Sequence, residues 1–398
     1  MAVAFGQPVA VFETVMKKHI AAFPAVLLLV LVTACNAVKH ESVPEALLGS
    51  VTVEGVANLR NWADEFNGDG KAMALHYAEA LRPHINENGR QFDILTLSGG
   101  GQSGAYGAGL LNGWTASGQR PKFEIVTGVS TGAIIAPFAF LGSRYDPVLK
   151  EIYTTTRTRD IGRVNLASGG GLMNVSGFEN LLKKHVTPQL LNAIAAESRA
   201  GRMLLVGTTN LEAERGVIWN LSGLSASTYP GKVELFRKII QASASIPGAF
   251  PPVAITVNYN GQQFEELHVD GGVTEQVFLY PPNITIRNLE KALGFSLKKR
   301  VFVVRNTKLD ASYKPLEAGT VKIVERSLNT LIRNQGRSDV GRIYDIAERD
   351  GIAFHRTSIP NSFNRKSKGF FDPEYMKPLF ELGYQAGANP DGWDRSRP

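Results

Sequence analysis

KFEIVTGVSTGAIIAPFAFL, residues 122–141, reads as a strand that breaks sharply into a helix. Phe123 to Val129 is the short apolar run of a buried strand, and Thr131 to Leu141 is small and apolar throughout. Between them, Gly128-Val129-Ser130-Thr131-Gly132 sets a serine at the corner with a glycine two positions to either side. A strand turning directly into a helix strains its corner residue, and the flanking glycines let neighbouring backbone pass. The Ser130 hydroxyl then projects at a helix amino terminus, where the dipole and free N–H groups favour developing negative charge. This context predicts an α/β fold and makes Ser130 a candidate nucleophile.

Upstream, LSGGGQSGAYGAG (residues 97–109) follows the strand-like run Gln91 to Thr96. Gly99-x-Gly101-x-x-Gly104 fits a dinucleotide fingerprint, but the next strand runs into Ser130 with no acidic residue at its carboxyl end. A P-loop needs Gly-Lys-Ser/Thr, and Gly104-Ala105-Tyr106 does not supply it. Acyl transfer offers a better use for bare backbone: its oxyanion needs N–H donors about 3 Å away, each contributing roughly 2.7–4 kcal/mol. Gly99, Gly100 and Gly101 would bring such donors beside Ser130 if the two strands are parallel neighbours.

From Phe92 onward, short apolar runs alternate with amphipathic segments, the pattern of a parallel sheet covered by helices. Strands are expected at Phe92 to Leu97, Phe123 to Val129, Met203 to Thr208, Gly216 to Leu221, Glu265 to Val269, Val301 to Arg305 and Ile352 to Ser358. Helices are expected at Ser103 to Ser117, Thr131 to Leu141, Gly177 to His185, Gln189 to Ala200, Lys232 to Ala244 and Thr320 to Arg349. In the last, Val321, Val324, Leu328, Leu331 and Ile332 recur at near-helical spacing and read as core packing. Val56 to Leu81 reads as a helix, Asn258 to Gln263 as a loop, and residues 360–372 as a basic loop before a closing helix at Pro373 to Ala386. The organisation expected is a signal segment at 1–34, a linker and helical segment at 35–90, a catalytic domain at 91–359 and a closing segment at 360–398.

A nucleophilic serine needs a base. His268-Val269-Asp270-Gly271-Gly272 offers His268 and Asp270, two residues apart along a strand. The order Ser130, Asp270, His355 would suit a triad, whereas a dyad would let Asp270 alone take the proton if burial raises its pKa. Residue chemistry leaves both open, and neither calls for a metal or organic cofactor.

Residues 16–35, MKKHIAAFPAVLLLVLVTAC, carry two lysines, an apolar stretch and small residues, the layout of a secretory signal, and Met16 is a candidate true start. Val32-Thr33-Ala34-Cys35 resembles a bacterial lipobox, and Cys35 is the only cysteine in the chain. An anchor at Cys35 with two or more acyl chains would hold the protein stably on a bacterial membrane. By the same resemblance, Asn36 favours the outer membrane of a Gram-negative envelope. The net charge of +7 is dispersed, with clusters at Lys298-Lys299-Arg300 and Arg365-Lys366-Ser367-Lys368. No nucleic-acid motif accompanies it.

The loop GGGQSG, the elbow GVSTG, the block Ala242-Ser243-Ala244-Ser245-Ile246-Pro247-Gly248-Ala249-Phe250-Pro251-Pro252 and Asp270-Gly271-Gly272 resemble, in order and type, the motifs of patatin-like phospholipases. The resemblance spans roughly residues 92 to 359. It implies a three-layer α/β/α fold with a mostly parallel central sheet and a Ser130–Asp270 dyad without histidine. It also implies an oxyanion hole at Gly99, Gly100 and Gly101, leaving His268 and His355 to packing. Ser103 departs from the family, which often has Arg or Lys after the glycines. The implied activity is hydrolysis of fatty acyl esters of phospholipids or lysophospholipids. Acyl transfer, thioester cleavage or non-catalytic lipid binding are alternatives on the same scaffold. Phe138, Phe140, Leu172, Met173 and Phe250 are candidates for an acyl groove.

Overall fold

In the computed structural model, described residues run from 40 to 398, except 54–55, 57, 67, 165–172, 312, 314, 316–318 and 390. The signal segment, Cys35 and Leu172 lie outside the described residues. The strands are β1 (Arg60–Trp62), β2 (Gln91–Leu97), β3 (Ile125–Val129), β4 (Met203–Asn210), β5 (Arg215–Asn220), β6 (Val253–Tyr259), β7 (Gln262–Asp270), β8 (Lys298–Arg305) and β9 (Ala353–Ser358). The longer helices are α1 (Gly70–Glu87), α2 (Ala105–Ala116), α3 (Thr131–Leu141), α4 (Asp146–Thr155) and α5 (Ser176–His185). They continue with α6 (Pro188–Arg199), α7 (Lys232–Ser243), α8 (Ile286–Leu293), α9 (Thr320–Asp350) and α10 (Pro373–Ala388).

The strands form one nine-stranded sheet in the order β1-β5-β4-β3-β2-β8-β9, with β7 pairing β4 and β6 pairing β7. From β4 through β9 every neighbour along that path is parallel, whereas β1, β5, β6 and β7 join antiparallel. Successive side chains of β2 alternate sides: Phe92 and Ile94 enter one apolar cluster, Leu95 and Leu97 the other. A strand apolar on both faces must be covered on both. Helices α1, α8 and the second half of α9 cover the first face; α2, α3, α4, α6, α7 and α10 cover the second. The result is the expected α/β architecture with a mostly parallel centre.

Three local expectations fail. Val56 to Leu81 is not a helix: β1 pairs with β5 there, and the helix starts only at Gly70. The start is fixed by Asp69, whose carboxylate accepts from the backbone N–H of Lys71 (2.8 Å) and Ala72 (3.1 Å). The Asn258 to Gln263 loop is the tight end of a β6–β7 hairpin, with Asn260 (φ 51°) and Gly261 (φ 87°) both left-handed, as a two-residue turn joining twisted strands requires. The apolar residues Val324, Leu328, Leu331 and Ile332 are not core. They are exposed, because α9 gains a buried face only from Gly336 onward.

Candidate active site

The register of the sheet explains how two residues distant in sequence meet. One edge of β4 is taken by β5 along residues 205–210; the other is taken by β3 only as far as Val129↔Gly207. There the chain leaves the sheet through Ser130 into α3. The vacated stretch of β4 is filled by β7, which arrives antiparallel with Asp270 opposite Thr208 and His268 opposite Asn210. The carboxyl end of β7 thus faces the carboxyl end of β3, and Asp270 meets Ser130.

Ser130 has φ 56° and ψ −122°, a region an L-residue enters only when its surroundings compel it. Its N–H donates to Ser243 Oγ (2.9 Å), and that hydroxyl donates to Gly207 O (2.6 Å). Gly132 permits the turn, since a Cβ there would lie 2.2 Å from Leu97 O. Ser130 is only 5% exposed and caps the amino end of α3. Burial pushes the Asp270 carboxyl up to about 6; hydrogen bonds from the Ser130 hydroxyl and the Gly272 N–H (2.8 Å) pull the other way without cancelling the rise. Gly271 and Gly272 complete the turn, Gly271 packing against Gly207 O.

The three glycines of the loop do not act alike. The Gly99 N–H donates to Gln276 O (3.0 Å), so it is already engaged and does not point at a substrate, contrary to expectation. Gly100 and Gly101 open the turn Gly101–Gly104, whose first N–H groups have no earlier carbonyl of the turn to bond to, whereas the Ser103 N–H already donates to Gly100 O (3.0 Å). Gly101 has φ 55° with open space where a side chain would stand. Asn306, just past β8, braces the loop: its N–H donates to Ser98 Oγ (2.8 Å), its Nδ2 to Ser98 O (2.8 Å), and its Oδ1 accepts from Gly107 N–H (3.0 Å). Gln276 joins both halves of the site, accepting from Gly99 and donating through Nε2 to Gly272 O (2.6 Å). Sequence reasoning missed Ser243, Gln276 and Asn306. Only Ser243 carried a signal, as part of the block that resembles the family.

Neither histidine reaches Ser130 in the described contacts. His268 bonds through Nδ1 to Thr208 Oγ1 (2.9 Å) and through Nε2 to Glu266 (3.1 Å), edge-on to Trp219. Arg60 grips the same Glu266 carboxylate. Burial disfavours charge on Glu266, yet bonds from His268 and Arg60 hold it down at about 2, and burial pulls His268 below its ordinary value. His355, in β9, stacks on Phe302 of β8; β9 is three strands from β3, or about 14 Å at ~4.8 Å per strand. Ala133, Ile134, Pro137 and Phe138 on α3, with Ile152 and Ile240, line a narrow apolar cavity. Phe140 is instead core beneath the Arg202 guanidinium, Met173 is buried beside Ala249, and Phe250 lies against Phe370. A separate cleft lined by Leu48, Val53, Arg60 and Trp62 sits at the antiparallel edge, remote from this chemistry. Among the described residues no cluster of His, Cys, Asp or Glu is placed to hold a metal ion.

The closing segment reaches the glycine loop. Gln102 donates to Ser367 Oγ (2.8 Å) and Gly369 O (2.8 Å) and accepts from Asp372 N–H (3.0 Å). Ser103 bonds to the Tyr375 hydroxyl on α10 (3.0 Å).

Residues 95–281 match the family model of patatin-like phospholipase. No curated protein matches the chain. Among solved structures, that of VipD from Legionella pneumophila matches with 11% identity and a TM-score of 0.37, over 74% of this chain and 66% of that one. The match thus spans just under two thirds of VipD.

Proposed function

We propose that the protein is a serine acyl hydrolase that cleaves fatty acyl esters of phospholipids or lysophospholipids through an acyl-enzyme. The observation that carries it is a strained serine at a helix amino terminus set beside a buried carboxyl held near 6. The coarse part, a lipid acyl hydrolase, is supported by the family match. Ser130 Oγ attacks the ester carbonyl carbon as Asp270 takes its proton, and the carbonyl oxygen becomes an oxyanion held by the Gly100 and Gly101 N–H groups. Collapse breaks the ester bond, and the departing alcohol takes the proton from Asp270. Water then attacks the acyl-enzyme with its proton passing to Asp270, and release of the fatty acid returns that proton to Ser130. The lipid anchor at Cys35 and placement in the outer membrane belong to the same reading.

Mass spectrometry of lipids released from a total bacterial lipid extract tests it. Wild type should release free fatty acid and the matching lysolipid, and Ser130→Ala neither. Equal release by the two proteins would overturn the assignment. Recovery of acyl esters instead of fatty acid when an alcohol is added would move it to acyl transfer.

A further inference from the structure

The first half of α9 carries Ile323, Val324, Leu328, Leu331 and Ile332, between 43% and 66% exposed. Val324, Leu328, Leu331 and Ile332 recur at i, i+4, i+7 and i+8 and form one stripe; at 100° per residue, Lys322, Arg326 and Arg333 fall on the opposite side. This is the make-up of a helix that lies in a lipid interface, apolar face inward and cations toward head groups. No helix of the described residues is long and apolar enough to cross a membrane.

Its position ties the stripe to the catalytic edge. The second half of α9 packs on the sheet through Val340, Ile343 and Ala347 and ends at Asp350, just before β9 begins. The helix therefore runs against the parallel strands, and its first fifteen residues, at 1.5 Å each, extend about 20 Å beyond the edge where Ser130 and Asp270 meet. At the crossing point it grips the loop after Asp270: Gln335 Nε2 donates to Thr274 O (2.6 Å), and Asp339 accepts from Gln276 N–H (2.7 Å). On the same edge stand exposed Arg365, Lys366 and Lys368, in the loop fastened to Gln102. Lys308 stitches that loop to the segment after β8 by donating to Asn361 O (3.1 Å) and Asn364 Oδ1 (3.2 Å). Residues 320–338 hold four basic side chains against one acidic, Glu325.

We infer that the protein docks its catalytic edge on an anionic lipid bilayer through the apolar stripe of residues 323–332, with the 365–368 loop as an electrostatic rim. The inference rests on the lipid-hydrolase reading for its purpose, though not for its measurement. Attraction of such cations to anionic head groups is screened by salt.

The test uses full-length Ser130→Ala protein, so that no lipid is consumed, with Leu328→Trp or Thr330→Trp added. Vesicles contain equal parts phosphatidylglycerol and phosphatidylcholine with brominated acyl chains. Fluorescence from the tryptophan introduced at 328 should shift blue and be quenched by the vesicles, less so at high salt, while the one at 330, on the polar side, should not. With Ser130 restored, Leu328→Asp combined with Leu331→Asp should lower hydrolysis of vesicle lipid about tenfold or more and leave turnover of a soluble short-chain ester unchanged. No quenching at position 328 would overturn the inference. So would emission already blue without vesicles, the sign of a second copy or another segment of the chain covering the stripe. Quenching at position 328, together with a Ser130-restored protein that hydrolyses neither substrate, would sink the hydrolase reading and leave the docking intact.

Discussion

At φ 56°, Ser130 holds a conformation that costs about 1–3 kcal/mol, and the Ser243 hydroxyl and the close seat of Gly132 help keep it there. Ser130→Gly and Ser130→Ala should both be inactive, but the glycine variant should be the more stable by about 1 kcal/mol or more in thermal or urea unfolding, because only glycine is relaxed there. Asp270 has the complementary conflict. Since burial raises its folded-state pKa from 3.8 to about 6, its contribution to stability is complete below 3.8 and is lost as pH rises through about 6. The proposed mechanism uses the ionised form, so kcat/KM on a soluble ester should rise with pH through an apparent pKa near 6. Asp270→Asn should lower turnover by about 10²–10⁴ fold. At pH 8 it should nonetheless raise the melting temperature, because the amide accepts the Gly272 bond without a buried charge.

At the level of elements, α2 and α10 touch through backbone. A Cβ on Gly109 would lie 1.9 Å from Phe380 O, and one on Gly387 would lie 2.0 Å from Leu110 O. Gly387→Ala should therefore force the helices apart and destabilise the fold by about 1–3 kcal/mol in denaturant unfolding. Because Tyr375 on α10 bonds to Ser103, turnover should fall with it. The strands of the parallel centre were legible in the sequence because burial on both faces leaves continuous apolar runs. Helix α9 was legible as a helix, yet its periodic apolar residues were misassigned to the core. Periodicity reports a face and not what the face meets.

Across the whole molecule, Arg60, Glu266, His268, Thr208 and Trp219 form a buried network joining β1, β7, β4 and β5. Removing one partner strands the others without water, so His268→Ala and Glu266→Gln should each cost about 3 kcal/mol or more of stability. With the base at Asp270, both variants should keep near wild-type kcat at temperatures where they remain folded, as should His355→Ala. Collapse of kcat in His355→Ala with unchanged unfolding would instead support a triad.

The sequence by itself determined the α/β class, the corner at Ser130 and the glycine-rich loop, because these depend on local periodicity and on residues that only a tight backbone requires. It also marked Asp270 as a candidate but left His268 beside it as an equal. Tertiary structure alone set them apart, by letting β7 enter where β3 leaves β4, which puts Asp270 beside Ser130 and turns His268 toward Thr208 and Glu266. It also took the Gly99 N–H for Gln276 and carried half of α9 beyond the sheet. Each of these depends on which strand lies next to which, and pairing between distant segments leaves no mark in the spacing of neighbouring residues.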